Sequence, residues 1–340
     1  MDVADQPPIA VLGAGSIGCF VGGAWQAAGI PVTFVGRERI AADIARAGLT
    51  VSDYSGWSVT HRPGDVDFHT DPAAIGEADI IALCVKSGAT AEAAAEIARH
   101  GKPGAIVLSL QNGISNIDVL KRVLGDRFDV VRGMVPFNVA YLGKGRFHKG
   151  VIGLLFAEDR PALRALAERI GSSPAGLKLS EDMLGVAWGK LLINLNNAIN
   201  ALSGRTLMAE LSDRNYRRVF AASMREGLRL LDRAGIVPAK VGAVGPRLLP
   251  HVIAAPDWLF RNVFLKAWKF DDKARSSMAD DLAHGRKTEI DVLQGELIAL
   301  AERLGRDAPV NRAVVRLVRE AEAGGRRDWP PAALRRAVLG

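Results

Sequence analysis

Apolar residues in the first half of the chain fall in short continuous runs: Ile9 to Leu12, Pro31 to Val35, Ile80 to Val85, Ala105 to Leu110 and Val130 to Val135. Short runs without polar alternation predict strands covered on both faces, as in a parallel sheet. Between them, Cys19 to Ala28 (closed by Gly29), Thr90 to His100 and Ser115 to Leu124 have the spacing and punctuation of helices. Strand, turn, helix and strand from Ile9 to Val35 make a βαβ unit, and its repetition predicts a doubly wound α/β sheet of Rossmann type. From Leu49 to Thr70 the residues alternate and are broken by Gly, Asp and Pro, which predicts short antiparallel strands instead of another crossover.

After Ser180 the pattern changes. β-Branched runs become rare, and apolar residues recur at three and four positions through Met183 to Leu202, Asn215 to Ala234, Met278 to Leu304 and Asn311 to Ala323. Those four stretches predict an all-α second domain. A chain of 340 residues exceeds one comfortable core. The expected division is a nucleotide-binding Rossmann domain at 1–180 and a helical domain for substrate and dimerisation at 181–340. Gly324-Gly325-Arg326-Arg327 predicts a loop before a loosely held tail.

Charge modifies this picture only in the second half. Up to Gly150 there are 14 basic and 15 acidic residues; the remainder has 30 and 22, so the net +7 lies in the helical domain. Nucleic-acid modules interleave basic with aromatic residues, whereas Arg217-Arg218, Arg225 and Arg229 alternate with Leu and Glu on ordinary helical patterns. No nucleic-acid partner is therefore expected. Cys19 and Cys84 stand alone in apolar surroundings, which excludes a disulfide framework and suits a reducing cytoplasm. The six histidines have no paired ligand spacing, and no metal is expected. The stretch between Asp5 and Arg37 is free of charge, but its acidic flank and its interrupting glycines argue against a membrane span or signal peptide.

The chemistry begins at Gly13-Ala14-Gly15-Ser16-Ile17-Gly18, which follows a strand and opens a helix. The first glycine permits the tight turn, the second clears a path for a pyrophosphate, and the third lets helix and strand approach. The free N–H groups of the helix N-terminus then face the phosphates. At the end of the second strand, where an acid would hold the ribose of NAD, the chain reads Gly36-Arg37-Glu38. A guanidinium there favours NADP(H), with Arg37 on the 2′-phosphate, although Glu38 could serve as a ribose acid one step late. Lys86 and Asn112 close two further strands on the same edge of the sheet, where open α/β folds bind ligands. Taken singly, Lys86 reads as a solvated lysine and Asn112-Gly113 as a turn.

With Val85-Lys86, Gln111-Asn112-Gly113, Lys190-Leu191-Leu192-Ile193-Asn194, Ser276-Ser277-Met278 and Arg286 to Asp291 added to the glycine turn, the chain resembles the ketopantoate reductase family from about Ile9 to Pro309. The resemblance implies NADPH-dependent reduction of 2-dehydropantoate to pantoate, a step towards pantothenate, at an active site between the two domains. It implies Lys190 as the catalytic lysine, Asn194 and Ser277 as substrate contacts, Asn112 touching nicotinamide and substrate, and Glu289 touching the cofactor. The residues themselves are compatible with those roles. Lys190, Asn194 and Asn197 share one helix face in an otherwise apolar stretch, and a ketone that accepts hydride needs a proton donor. By pattern alone, Ser276-Ser277 reads as a helix cap and Glu289 as an exposed helical acid.

Three departures bear on the substrate. Many family members carry an asparagine eight positions after the lysine, where this chain has Ala198. A further asparagine is missing from Leu207 to Leu211, and Gly133 to Asn138 replaces a threonine-rich segment. The expected partner is a small anionic 2-oxo acid, with ketopantoate first and another branched or aromatic 2-oxo acid as the alternative. A non-enzymatic NADP-binding sensor or regulator is the reading from a different class. A homodimer is the expected assembly.

Overall fold

The computed structural model describes residues 8–265 and 274–340. The chain divides into two compact units, 1–183 and 184–340.

In the first unit, the apolar runs are strands. β1 (Ile9–Leu12) lies between β2 (Val32–Val35) and β6 (Ile80–Leu83), parallel to both. β7 (Ile106–Ser109) and β8 (Asp129–Met134) extend the parallel order beyond β6. Consecutive residues of β1 enter different cores: Ile9 and Val11 pack on one side of the sheet, Ala10 and Leu12 on the other. That two-sided burial is why the run shows no polar alternation. The chain leaves β1 toward β2 on one side and returns at β6 on the other, so the strand order reverses beside β1 and opens a crevice at the carboxyl ends.

The segment at 49–70 divides between two sheets. β3 (Leu49–Asp53) and β4 (Ser58–His61) pair antiparallel as expected, in a separate four-stranded sheet with β9 (Val139–Tyr141) and β10 (Arg146–Lys149). β5 (Asp67–His69) departs from the expectation and joins the main sheet parallel to β2. Phe68 stacks on Phe34 at 6.1 Å between ring centroids, and Thr33 Oγ1 donates to Asp67 Oδ2 at 2.7 Å; both contacts hold the short strand there. β11 (Leu155–Glu158), antiparallel to β8, and β12 (Leu177–Ser180) complete eight strands. Helices α1 (Ser16–Ala27), α2 (Glu38–Ala47), α3 (Thr90–His100), α4 (Asn116–Leu124) and α5 (Pro161–Ile170) belong to this unit.

The second unit is helical, with three corrections to the sequence pattern. The stretch from Met183 to Leu202 is two helices, α6 (Met183–Asn194) and α7 (Asn196–Ser203), broken at Leu195. The carbonyl of Leu195 accepts the Gln294 Nε2 donor at 2.8 Å, a side-chain insertion of the kind that interrupts a helical ladder. Met278 to Leu304 is also divided, into helices Ser277–Ala283 and Gln294–Arg303 around a short turn at Ile290–Val292. Gly285, at φ 65°, ends the first of these with Arg286 N bonded to Asp281 O, a left-handed cap that continuous periodicity conceals.

The third correction concerns the tail. Residues 331–339 form a helix packed on α9 (Arg214–Arg233), with Leu334 fully buried. Tyr216 Oη donates to the Trp329 carbonyl at 2.6 Å, and Trp329 N donates to Leu202 O at 2.9 Å. The Gly-Gly pair is a hinge into a docked helix. α8 (Leu207–Leu211) and helix Pro309–Glu322 complete the elements used below.

Candidate active site

The glycine turn connects β1 to α1, and its three glycines have distinct surroundings. Gly13 has φ 94°, and a Cβ there would lie 2.7 Å from the Val85 backbone nitrogen. A Cβ on Gly18 would lie 2.7 Å from the Gly13 carbonyl and 2.8 Å from Val11. Both positions are closed by the protein itself. Gly15 is different: its nearest neighbour would be 3.9 Å away. Nothing in the fold requires the bare residue there, so the open space suits a ligand that passes close to the backbone. Gly13 N and Ala14 N both donate to Val35 O, which fixes the turn to the end of β2. α1 begins with neither a side-chain cap nor an acid in its first turn, which leaves the helix N-terminus at Ser16, Ile17 and Gly18 available to an anion. These features fit a dinucleotide pyrophosphate.

At the end of β2, Gly36 is confined by Phe68 and Ala14, and Arg37 follows as the N-cap of α2. The Arg37 side chain is exposed, with no hydrogen-bond or ion-pair partner among the described residues. Glu38 is exposed beside it in the first turn of α2.

Lys86 is exposed after β6, and Asn112 is half-buried after β7. A hydrogen-bonded cluster supports both loops. Gln111 Nε2 donates to Val85 O (3.1 Å) and Thr90 Oγ1 (2.8 Å), and Thr90 Oγ1 donates to Asn116 Oδ1 (3.0 Å). Asn116 Nδ2 reaches Ser87 Oγ (3.1 Å) and the Asn112 carbonyl (2.6 Å). Thr90 and Asn116 are buried, and sequence reasoning had given neither a part in the site. The only hint was the spacing of four between Asn112 and Asn116, at a loop entering a helix. Gly113, at φ 92°, lets the chain turn immediately after Asn112.

A cavity of about 660 Å³ opens elsewhere in this unit, at the C-terminal end of α1, beside Ala27, Trp57, Asp53 and Lys149. The buried Lys149 ammonium donates to Gly153 O (2.6 Å) and Pro174 O (2.7 Å) and lies 4.3 Å from the Phe137 ring centre. Its role is to tie two loops together, away from the glycine turn.

In the second unit, α6 and α7 place Lys190, Asn194 and Asn197 on one face. Asn194 is 8% exposed, and Lys190 and Asn197 are partly open. None of the three side chains has a hydrogen-bond partner among the described residues, whereas the surrounding Val186, Ala187, Leu191, Leu192 and Leu195 are buried. This apolar burial pushes the Lys190 ammonium down from the ordinary lysine value to about 8. Gly189 permits a close crossing behind it. Ala239 N donates to Gly185 O, and a Cβ on Gly189 would lie 2.1 Å from the Ala239 carbonyl.

Ser276, not Ser277, caps the next helix: its Oγ accepts from Ala279 N at 3.1 Å and donates to the Asn197 carbonyl at 3.0 Å. That occupation leaves Ser277 exposed in the first turn. Glu289 is half-buried at the entrance to the turn at Ile290–Val292, so it is not the exposed helical acid that the pattern suggested.

The model of the ketopantoate reductase PanE/ApbA family matches residues 9–158, and the model of its C-terminal domain matches residues 182–322. The chain belongs to the ketopantoate reductase family. It is therefore an oxidoreductase of an NAD(P)-dependent family, which replaces the sensor alternative. The 2-dehydropantoate 2-reductase of Halobacterium salinarum is 27% identical over 326 residues, covering 93% of this chain and 99% of that protein. The Pyrococcus abyssi enzyme of the same name is 27% identical over 328 residues, covering 93% and 98%. Among solved structures, a PanE/ApbA family ketopantoate reductase from Ralstonia eutropha aligns with TM-score 0.79 at 28% identity, covering 93% of this chain and 99% of that one. A D-mandelate dehydrogenase solved with NADH and anilino(oxo)acetate shares the fold, with TM-score 0.75 at 20% identity over 93% and 99% of the chains. The Rossmann sheet and helical second unit expected from the sequence are the family architecture. No helix among the described residues is long and apolar enough to cross a membrane.

Proposed function

We propose that this member reduces a 2-oxo acid to the 2-hydroxy acid at the expense of NADPH, with 2-dehydropantoate as the substrate and Lys190 as the proton donor. The observation that carries the reading is the Lys190 face: a lysine shifted to about 8 by apolar burial, one turn from Asn194 and two from Asn197. A donor works best when its pKa lies near the working pH, and a lysine at its ordinary value would hold its proton too tightly. At neutral pH Lys190 is mostly protonated and its positive charge attracts a carboxylate-bearing substrate.

Bound at the glycine turn, the reduced dinucleotide supplies the hydride. Reduction of the carbonyl would leave negative charge on its oxygen, and Lys190 would give that oxygen its proton. Asn194 and Asn197 donate to the substrate oxygens. Asn112 orients nicotinamide and substrate, and Ser277 is a further substrate contact; both assignments rest on the family pattern. Ala14, Ser16 and Ile17 hold the pyrophosphate together with Gly13, Gly15 and Gly18. Arg37 holds the 2′-phosphate that distinguishes NADPH from NADH, while Lys86 and Glu289 are further cofactor contacts.

Ala198, fully buried, stands where the family pattern has asparagine, and the stretch Leu207 to Leu211 lacks the further asparagine of that pattern. That loss of polar contacts supports a second reading, in which a bulkier or more apolar 2-oxo acid is the better substrate. One fold neighbour, a D-mandelate dehydrogenase, was solved with NADH and anilino(oxo)acetate. A cytoplasmic home and a homodimer complete the proposal; one fold neighbour, from Staphylococcus aureus, is described as dimeric.

The test is NADPH oxidation with ketopantoate and a panel of branched and aromatic 2-oxo acids, in wild type and Lys190→Ala. The expected loss in kcat is about 10² to 10⁴-fold. A variant within a few-fold of wild type would remove Lys190 from the mechanism, and a higher kcat/KM on an aromatic acid would select the second reading.

A further inference from the structure

The break at Leu195 is held by more polar groups than a helix junction requires. Gln294, fully buried, donates its Nε2 to the Leu195 carbonyl at 2.8 Å. Asn196 Nδ2 donates to Glu210 Oε2 at 3.0 Å, and Glu210 is itself fully buried. On the next turn, the Ser276 backbone N–H donates to Asn200 Oδ1 at 2.9 Å, and Ser276 Oγ donates to the Asn197 carbonyl at 3.0 Å. These ties hold the α6–α7 junction that carries Lys190, Asn194 and Asn197, whose own side chains have no partner among the described residues.

Stability alone does not account for this arrangement. Gln294 Oε1, Asn196 Oδ1 and Glu210 Oε1 are buried with no hydrogen-bond partner among the described residues. Each orphaned polar atom costs folding free energy, and an apolar filling of the same volume is the cheaper solution. Polar groups retained at a cost are expected where they fix a geometry that function needs. Here the geometry is the offset between the turn carrying Lys190 and Asn194 and the turn carrying Asn197. Leu195 keeps helical dihedrals (φ −56°, ψ −25°) and its N–H donates to Leu191 O at 3.0 Å, so what marks the junction is the Leu195 carbonyl, which Gln294 holds.

We infer that Gln294 is a positioning residue for reduction: through the Leu195 carbonyl it sets the place of Asn197 relative to Lys190, and so the fit of the oxo acid. It touches neither substrate nor cofactor. The inference rests on the reading of Lys190 and Asn197 given above, and its consequence is selective. Loss of the donor weakens oxo-acid binding and leaves the glycine turn and Arg37 of the other unit, which carry most of the proposed NADPH contacts, untouched.

The experiment compares wild type, Lys190→Ala, Gln294→Met and Gln294→Leu by steady-state NADPH oxidation and by thermal unfolding. Met keeps the length of the side chain and removes the donor. The expected result is a rise of about ten-fold in KM for the oxo acid, with KM for NADPH within two-fold and Tm within a few degrees of wild type. Gln294→Leu also removes the donor, with an apolar side chain suited to the buried position, and shows the same selective loss; it carries the test should Gln294→Met fail to fold. Constants within two-fold of wild type in both variants overturn the inference. So does a loss spread equally over both substrates and Tm, which marks a structural role. If Lys190→Ala is as active as wild type, the functional reading itself fails, and this inference fails with it.

Discussion

Lys190 should cost the protein stability while serving its chemistry, and the cost can be worked out. Its folded pKa is about 8 against 10.5 for an unperturbed lysine, and burial in an apolar helix face is the cause. Because the folded value is depressed, the unfolded chain binds the proton more tightly between those two values. Stability from this group therefore rises as pH climbs from 8 to 10.5, and the full penalty is present below 8. Two and a half units at 1.36 kcal/mol each put the penalty on the order of 3 kcal/mol at pH 7. Lys190→Met, which keeps most of the volume and removes the charge, should thus be inactive and more stable than wild type at pH 7. The gap should close toward pH 10.5. Urea unfolding of both proteins at a series of pH values, followed by a probe in residues 184–340, measures it. A variant less stable than wild type at pH 7, or a gap that does not narrow with rising pH, refutes the claim that apolar burial perturbs this lysine. The same group predicts that kcat falls about ten-fold per pH unit above 8, since only the ammonium can donate.

Two further predictions follow from the dinucleotide turn. Gly15→Ala should leave Tm within a few degrees of wild type, since the new methyl meets nothing within 3.9 Å, yet raise KM for NADPH by about ten-fold or more. Gly13→Ala, at φ 94° and 2.7 Å from the Val85 backbone, should lower Tm as well, and equal thermal behaviour of the two variants would contradict the separation drawn between ligand space and packing. Arg37→Asp should raise KM for NADPH by about 10 to 100-fold while improving use of NADH; an unchanged ratio between the two cofactors would remove Arg37 from the 2′-phosphate and turn attention to Glu38.

Much of the first unit was legible in the sequence because its determinants are local. The run Ile9 to Leu12 is apolar throughout because both its faces are buried, and the glycine turn follows from backbone space that only glycine gives. β5 escaped this logic: what assigns it to the main sheet is Phe68 stacking on Phe34, a contact between residues 34 positions apart that no periodicity encodes. The broken helices escaped for a related reason. Leu195 interrupts a run whose 3.6-residue pattern is intact, and the interruption comes from Gln294, a side chain almost a hundred residues away. The docked tail rests on Tyr216 and Leu334, and a Gly-Gly pair in sequence cannot distinguish a hinge from a loose end.

The candidate site divides along the same line. Lys190 and Asn194 were visible as polar residues in an apolar helix, since a polar group at such a position must face a ligand, a partner or water. The residues that hold that face in place were not visible, because a glutamine at the start of a helix or an acid in a short one has an ordinary exposed role in most chains. Glu210 illustrates the difference. Burial, opposed by bonds from Asn196 and Asn200 and by the Arg217 charge, carries its carboxyl up to about 8, so at neutral pH it is mostly a neutral acid. Arg217, on what the sequence presents as an ordinary amphipathic helix, is likewise fully buried, donating to the Ile253 and Ala255 carbonyls and pairing with Asp257. The basic excess of the second half is therefore not all a surface field. Part of it is structural, and an exposed charge such as Arg37, in the nearly neutral first half, is the better guide to an anionic ligand than the net charge of the domain.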